Sequence, residues 1–191
     1  MPTIKRLLRA CSPPRLRELI LLMVLAVLVV LDQCTKLAVS HYFAMNETRV
    51  IIPGVLHFTL AHNEGAAFSM LSGYPYVFMS VTCVVVVAGM ALLAVRFFKS
   101  NFTAFAVTLV MAGGIGNLID RFSQGYVVDF FEFAFVRFAI FNVADCCVVV
   151  GAFMIIGYYL FDMIRDARRL HANPDDGEPL PEPEKKDGEG L

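Results

Sequence analysis

The chain has 191 residues, 58% of them hydrophobic and 17% charged, with a formal net charge of −1 and a mean hydropathy of +0.66. So apolar a balance excludes an ordinary soluble globular domain, and the near-neutral total conceals charges gathered in a few places. The expected class is an all-α polytopic membrane protein, with no nucleic-acid partner.

Residues 1–18 form a basic arm carrying Lys5, Arg6, Arg9, Arg15 and Arg17. An apolar stretch over 19–39 follows, long enough to cross the hydrocarbon core, which takes about 20 residues of helix. A secretory signal also sets a basic arm before an apolar core. Here no small-residue cleavage site follows and the helical pattern runs on into Asp32-Gln33-Cys34-Thr35-Lys36, so a retained span is predicted. Asp32 and Lys36 stand four apart near its far end, where they can neutralise one another.

Residues 41–73 are too many for a tight turn. Thr48–Ile52 and residues 55–60 are rich in β-branched and apolar side chains and are split by Pro53-Gly54, which predicts a short strand pair or curved sheet at the membrane surface. Asn63-Glu64-Gly65-Ala66-Ala67-Phe68-Ser69 comes next, and its small residues suit a backbone that approaches a ligand closely. A plain connecting loop is the simpler alternative.

Two further apolar stretches, 74–95 and 102–119, contain no Asp, Glu, Lys or Arg, and Arg96 and Lys99 lie in the link between them. The second leads into Gly113-Gly114-Ile115-Gly116-Asn117-Leu118-Ile119-Asp120-Arg121. Spacings of three and four put Gly113, Asn117 and Asp120 on one helical face. Taken alone, the glycines signify only close helix packing. Asp129 follows in an apolar setting, Val127-Val128-Asp129-Phe130-Phe131, within an outer loop. A fourth apolar stretch, 138–161, is interrupted near its start by Asn142 and Asp145. Ionisable groups at the edge of a bilayer are costly and usually functional.

From residue 162 the chain is expected to form a cytoplasmic tail. Beyond His171 it holds Pro174, Pro179, Pro181 and Pro183 with seven acidic residues, too polar to bury a core and expected to be disordered. The predicted organisation is thus an arm over 1–18, a four-helix membrane domain over 19–161 with its β-rich outer segment at 41–73, and a tail over 162–191.

Basic residues favour the cytoplasmic side. They crowd the arm, the 96–99 link and the tail, with Arg165, Arg168 and Arg169, whereas the opposite side has Arg49, Arg121 and Arg137. Both termini are therefore predicted to be cytoplasmic, and Asp32, Lys36, Asn117, Asp120, Asp129, Asn142 and Asp145 all fall at the outer side. Cys11, Cys34, Cys83, Cys146 and Cys147 lack metal-ligand spacing and read as small apolar fillers. His41, His57, His62 and His171 form no zinc pattern and read as packing or hydrogen-bonding residues.

Two carboxylates that meet in a low-dielectric site share one proton, so one can serve as base and the other as acid. Asn63, Asn117 and Asn142 are neutral amides able to hold substrate backbone or an oxyanion without adding charge, and residue type does not distinguish among them. Such chemistry needs neither metal nor organic cofactor. Two non-enzymatic readings compete: an ion or solute carrier with a relay through Asp32, Lys36, Asp120 and Asp145, and a scaffold whose polar residues only join helices. Polar groups at one side rather than at the midplane, and no internal repeat, count against the carrier.

Five blocks occur together in the order and spacing of the lipoprotein signal peptidase family. They are Asp32-Gln33-Cys34-Thr35-Lys36, Asn63-Glu64-Gly65-Ala66-Ala67-Phe68, the run from Gly113 to Arg121, Val128-Asp129-Phe130, and Phe141-Asn142-Val143-Ala144-Asp145. The chain closely resembles signal peptidase II over residues 18–159. The resemblance implies an aspartic endopeptidase of the bacterial inner membrane. It would remove the signal peptide from diacylglyceryl-modified prolipoproteins, cutting just before the lipidated cysteine. It implies Asp129 and Asp145 as the catalytic pair, Asn63, Gly65, Asn117, Arg121, Asn142 and Asp120 as lining or supporting the site, and Asp32 and Lys36 as structuring the outer end of the first span. The implied partners are the prolipoprotein and membrane lipid, and a monomer is expected. Cys146 departs from the family, which often has a small polar residue after the second aspartate, and the acidic tail is an addition.

Overall fold

The computed structural model describes residues 16–65 and 75–172. The expectations for most of the arm, for the tail beyond 172 and for the end of the Asn63–Phe68 block lie outside the described residues. Packing divides the chain into two units, Met1–Ile155 and Ile156–Leu191. The described part of the second is helical throughout.

Helix α1 covers Leu16–Tyr42 without a glycine or proline to interrupt it. Its burial is the reverse of a soluble helix. Asp32 and Lys36 are buried, with Leu21 and Val39, while Val30, Leu31 and Leu37 are 49–70% exposed. An apolar exterior with charges turned inward is the pattern of a helix surrounded by lipid. Helix α2, Pro75–Ala94, and helix α3, Asn101–Gln124, follow. Both α1 and α2 pack on α3. Small residues make that possible, since Ala104, Ala106, Ala112, Gly113, Gly114 and Gly116 of α3 are all buried. At Gly113 even a methyl group would strike the carbonyl of Ala144 and the side chain of Val148. Gly125 ends α3 in the left-handed conformation at φ 85°, its N–H donating to the Arg121 carbonyl.

Helix α4, Val143–Ala172, starts later than its hydropathy suggests. Residues 138–141 are as apolar as the span, but they are not helical: 138–140 are irregular, Phe141 bridges Phe131, and Asn142 caps the helix. The Asn142 side-chain oxygen accepts the Asp145 N–H at 3.0 Å, and the Asn142 N–H donates to Asp145 Oδ2 at 3.1 Å. This reciprocal pair is a capping box.

Among the described residues, three helices are long and apolar enough to cross a membrane: Leu16–Tyr42, Asn101–Gln124 and Val143–Arg168. The predicted span over 74–95 appears as α2, of which the described apolar stretch, Met79–Ala94, falls short of that length. Four spans were expected; the described structure establishes three by length and composition.

The β-rich segment is larger than predicted. Strands β1, Thr48–Ile52, and β2, Leu56–Asn63, pair antiparallel as the expected hairpin. A third strand, β3, Val127–Phe133, pairs antiparallel with the other side of β2, giving the order β1-β2-β3. Asp129, expected in a loop, is therefore on a strand, opposite Ala61 beside a register shift. Val39 of α1, Leu60, Val128 and Phe130 form a buried cluster, with Phe43, Phe58 and Phe131 packed around it. Burying such side chains is worth about 1.5–3 kcal/mol each, which anchors the sheet to the C-terminal end of α1.

Candidate active site

The end of α3, the cap of α4 and the middle of β3 converge beneath the sheet. Asp129 is 2% exposed, and both of its oxygens are held: Asn142 Nδ2 donates to Oδ1 at 2.6 Å and Asn63 Nδ2 donates to Oδ2 at 2.9 Å. The orientation of Asn63 is set by the Gly65 N–H, which donates to its side-chain oxygen at 3.1 Å. Asp145 lies in the first turn of α4. Its Oδ1 accepts from Asn117 Nδ2 at 2.8 Å, and its Oδ2 accepts the Asn142 N–H. Asn142, fully buried, joins the two carboxylates: one bonds its side-chain amide and the other its backbone.

Burial, followed by the nearby charge of Asp145, pushes the Asp129 carboxyl up to about 7 against the pull of its two amide hydrogen bonds. Such a group holds a proton well above the ordinary carboxylate range, and perturbation of this kind concentrates at functional sites.

Asp145 opens onto a cavity of about 500 Å³. Asn63, Gly65 and Arg121 give it a polar end, and Phe133, Phe138, Phe141, Val149 and Val150 give it an apolar wall, with Cys146 among them. Arg121 reaches the Gly65 carbonyl at 3.4 Å and the Asn117 carbonyl at 3.5 Å, which ties α3 to the end of β2. A mostly apolar hollow with a few convergent polar groups is the usual form of a binding site.

Asp32, Lys36 and Asp120 do not line this cavity. They form a buried ionic cluster behind the asparagines, with Lys36 Nζ 2.8 Å from Asp32 Oδ2, 3.0 Å from Asp120 Oδ2 and 3.0 Å from Asn117 Oδ1. Gln33, to which sequence reasoning assigned no role, belongs to the same cluster. Its amide lies 3.2 Å from Asp32 Oδ2, 3.0 Å from Asp120 Oδ1 and 3.1 Å from the Gly116 carbonyl. Its only sequence signal was its place between Asp32 and Lys36 in the first block.

An apolar-walled cavity lined by Asp145, which Asn142 links to the buried Asp129, within an apolar helical frame belongs to the class of membrane enzymes. Two solved structures described as bacterial membrane enzymes, determined by the in meso method at 2.3 and 1.9 Å, share the fold. The first has a TM-score of 0.68 at 28% identity, covering 84% of this chain and 94% of that one; the second has 0.67 at 31%, covering 73% and 92%. The chain belongs to the Signal peptidase (SPase) II family, a family of proteases, whose profile matches residues 24–161. It is 36% identical to the lipoprotein signal peptidase of Brevibacillus brevis over 148 residues, 77% of this chain and 96% of the relative. It is 42% identical to that of Enterococcus faecalis over 137 residues (72% and 85%) and 38% identical to that of Streptococcus pneumoniae over 140 residues (73% and 92%).

Proposed function

We propose that this protein is an aspartic endopeptidase of the bacterial inner membrane. It removes the signal peptide from diacylglyceryl-modified prolipoproteins by cutting just before the lipidated cysteine, with Asp129 and Asp145 as the catalytic pair. The observation that carries this reading is the single buried asparagine, Asn142, bound to both carboxylates at the polar end of an apolar cavity. Family membership supports the substrate class.

The carboxylates share one proton, and we assign Asp145, which lines the cavity, as the base that meets water and Asp129, held deeper by two amides, as the acid. Asp145 takes a proton from water, and the hydroxide adds to the scissile carbonyl. Asp129 donates to the carbonyl oxygen, so the tetrahedral intermediate is a neutral diol. Asp145 then passes its proton to the departing amine, and Asp129 recovers one from the diol as the new carboxyl group forms. Asn63 and Arg121 lie where they can hold the peptide backbone.

The substrate's two acyl chains contribute about 0.8 kcal/mol per buried methylene, so lipid anchors the scissile bond near the headgroups. This suits a site at the outer face, with α2 as a fourth span and both termini cytoplasmic. The carrier reading is weakened by the tight pairing of Lys36 with Asp32 and Asp120, which leaves only Asp145 of the proposed relay outside a fixed ion-pair cluster. The test is cleavage by purified protein of a diacylglyceryl-modified precursor and of its unmodified counterpart. The modified precursor is expected to be far the better substrate and to be cut before the lipidated cysteine. Equal cleavage of both would mean that the site reads peptide alone.

A further inference from the structure

The buried cluster behind the site touches the backbone at two informative places. Asp32 Oδ1 accepts the N–H of Ala144, the residue before Asp145, at 2.9 Å. Asp120 Oδ2 accepts the N–H of Val128, the residue before Asp129, at 3.1 Å. Each non-catalytic aspartate thus holds the main chain one residue ahead of a catalytic one. The two tethering carboxylates are in turn bridged twice, by Lys36 Nζ on their Oδ2 atoms and by the Gln33 amide. Alanine at 116 would put its methyl 2.5 Å from Asp32 Oδ2, so α3 needs glycine there to admit the cluster.

We propose that Asp32, Gln33, Lys36 and Asp120 form a clamp that sets the spacing of the catalytic pair by tethering the backbone beside each member. The proposal rests on the assignment of Asp129 and Asp145 as that pair. Strand β3 and helix α4 are separated by only nine residues, and of the asparagines on the dyad only Asn142 bonds both carboxylates, while Asn63 bonds Asp129 and Asn117 bonds Asp145. The tethering carboxylates are buried and bridged to one another, and they hold the main chain beside each catalytic residue rather than its side chain. Lys36 also fixes Asn117, the donor to Asp145, so the clamp acts on the base through its side chain as well as its main chain. Gln33, Lys36 and Asp120 border a second, more polar cavity of about 430 Å³ rather than the one at Asp145, so they are positioning residues that do not meet substrate.

This arrangement separates kcat from KM. Misplacement of reacting groups by about 1 Å can lower a rate about a hundredfold. Asp120→Ala removes the tether to Val128 and is expected to lower kcat by about that factor while KM for the lipidated precursor changes less than about twofold. Asp120→Asn keeps an oxygen able to accept the Val128 N–H and should recover about tenfold of the loss. Gln33→Met removes one bridge of nearly equal size and leaves the other, and should lower kcat about tenfold. The assay is steady-state cleavage of the diacylglyceryl precursor, normalised to the precursor-binding capacity of each preparation so that unfolded protein does not count.

Equal kcat for Asp120→Asn and Asp120→Ala would overturn the tether. So would normal kcat per binding-competent molecule in both Asp120→Ala and Gln33→Met, which would reduce the cluster to fold stability. Substantial turnover by Asp145→Asn, measured alongside, would overturn the dyad and the clamp with it, and so identifies which of the two readings has failed.

Discussion

Replacing Asp129 with asparagine is expected to abolish turnover and, above neutral pH, to stabilise the protein. The carboxyl is almost wholly buried, and its ionisation is moved from 3.8 up to about 7. A folded state that holds a proton more tightly than the unfolded chain loses stability as pH rises between the two values, because the unfolded chain gives up its proton first. The loss begins near pH 4 and is complete above about 7. An interval of about three pH units, at about 1.4 kcal/mol for each, amounts to roughly 4 kcal/mol as an upper figure. Asparagine has nearly the same shape and is neutral throughout. Parent and variant should therefore lie closest near pH 4, where the folded carboxyl is protonated and the unfolded one about half ionised, apart from a pH-independent offset for the acceptor oxygen that the amide nitrogen replaces, and separate in the variant's favour by up to that amount at pH 8. At about 2–4 °C per kcal/mol for a chain of this size, the midpoint should rise on the order of 10 °C. The protein has no tryptophan, so unfolding in detergent is best followed by far-ultraviolet circular dichroism from pH 4 to 8.5. Curves that run parallel, with a constant gap at every pH, would refute the claim that the fold tolerates an unfavourable carboxylate at this position.

The single variants Asp129→Asn and Asp145→Asn should each eliminate precursor cleavage, and the double variant should be little worse, since groups acting as one unit are strongly non-additive; independent, multiplying losses would argue against a shared proton. Gly113→Ala should lower thermal stability by about 1–3 kcal/mol, because its methyl meets the Ala144 carbonyl and Val148. Gly157→Ala, with nothing within 4 Å, should be neutral or gain up to about 1 kcal/mol, and equal effects at the two sites would contradict the close approach of α3 and α4. Truncation after His171 should leave cleavage of the lipidated precursor nearly unchanged, every motif lying upstream; a tenfold loss with normal insertion would give the tail a part in the reaction.

The helices were legible where local chemistry decides them. The first span shows itself by an uninterrupted apolar run, and the hairpin by β-branched residues either side of Pro53-Gly54. Strand β3 was not legible. Val127-Val128-Asp129-Phe130-Phe131-Glu132-Phe133 becomes a strand because β2, more than sixty residues earlier, offers it a partner, and such pairing leaves only a weak mark on the strand itself. The start of α4 was misplaced for a different reason: hydropathy does not separate Phe138–Phe141 from the span, while Asn142 and Asp145, three apart, spell a capping box that hydropathy ignores. Composition marked Asp129 and Asp145 as costly, but their joint role came from the resemblance of the blocks. The use of Asp32 and Asp120 as backbone acceptors was beyond reach, because an acceptor's partner N–H has no identity in a sequence.

The order in which the chain is made bears on when it can act. Asp32 waits for an N–H 112 residues later, and Asp129 lacks its closest donor until Asn142 has been synthesised and placed. A nascent or prematurely ended polypeptide stopping before Asn142 has one aspartate on a strand, without the asparagine that joins the pair and without the second carboxylate. With Asp129 and Asp145 as the proposed pair, hydrolytic competence waits for Asn142 and Asp145 rather than for the tail, and a membrane still receiving the first 141 residues is not exposed to a half-assembled protease.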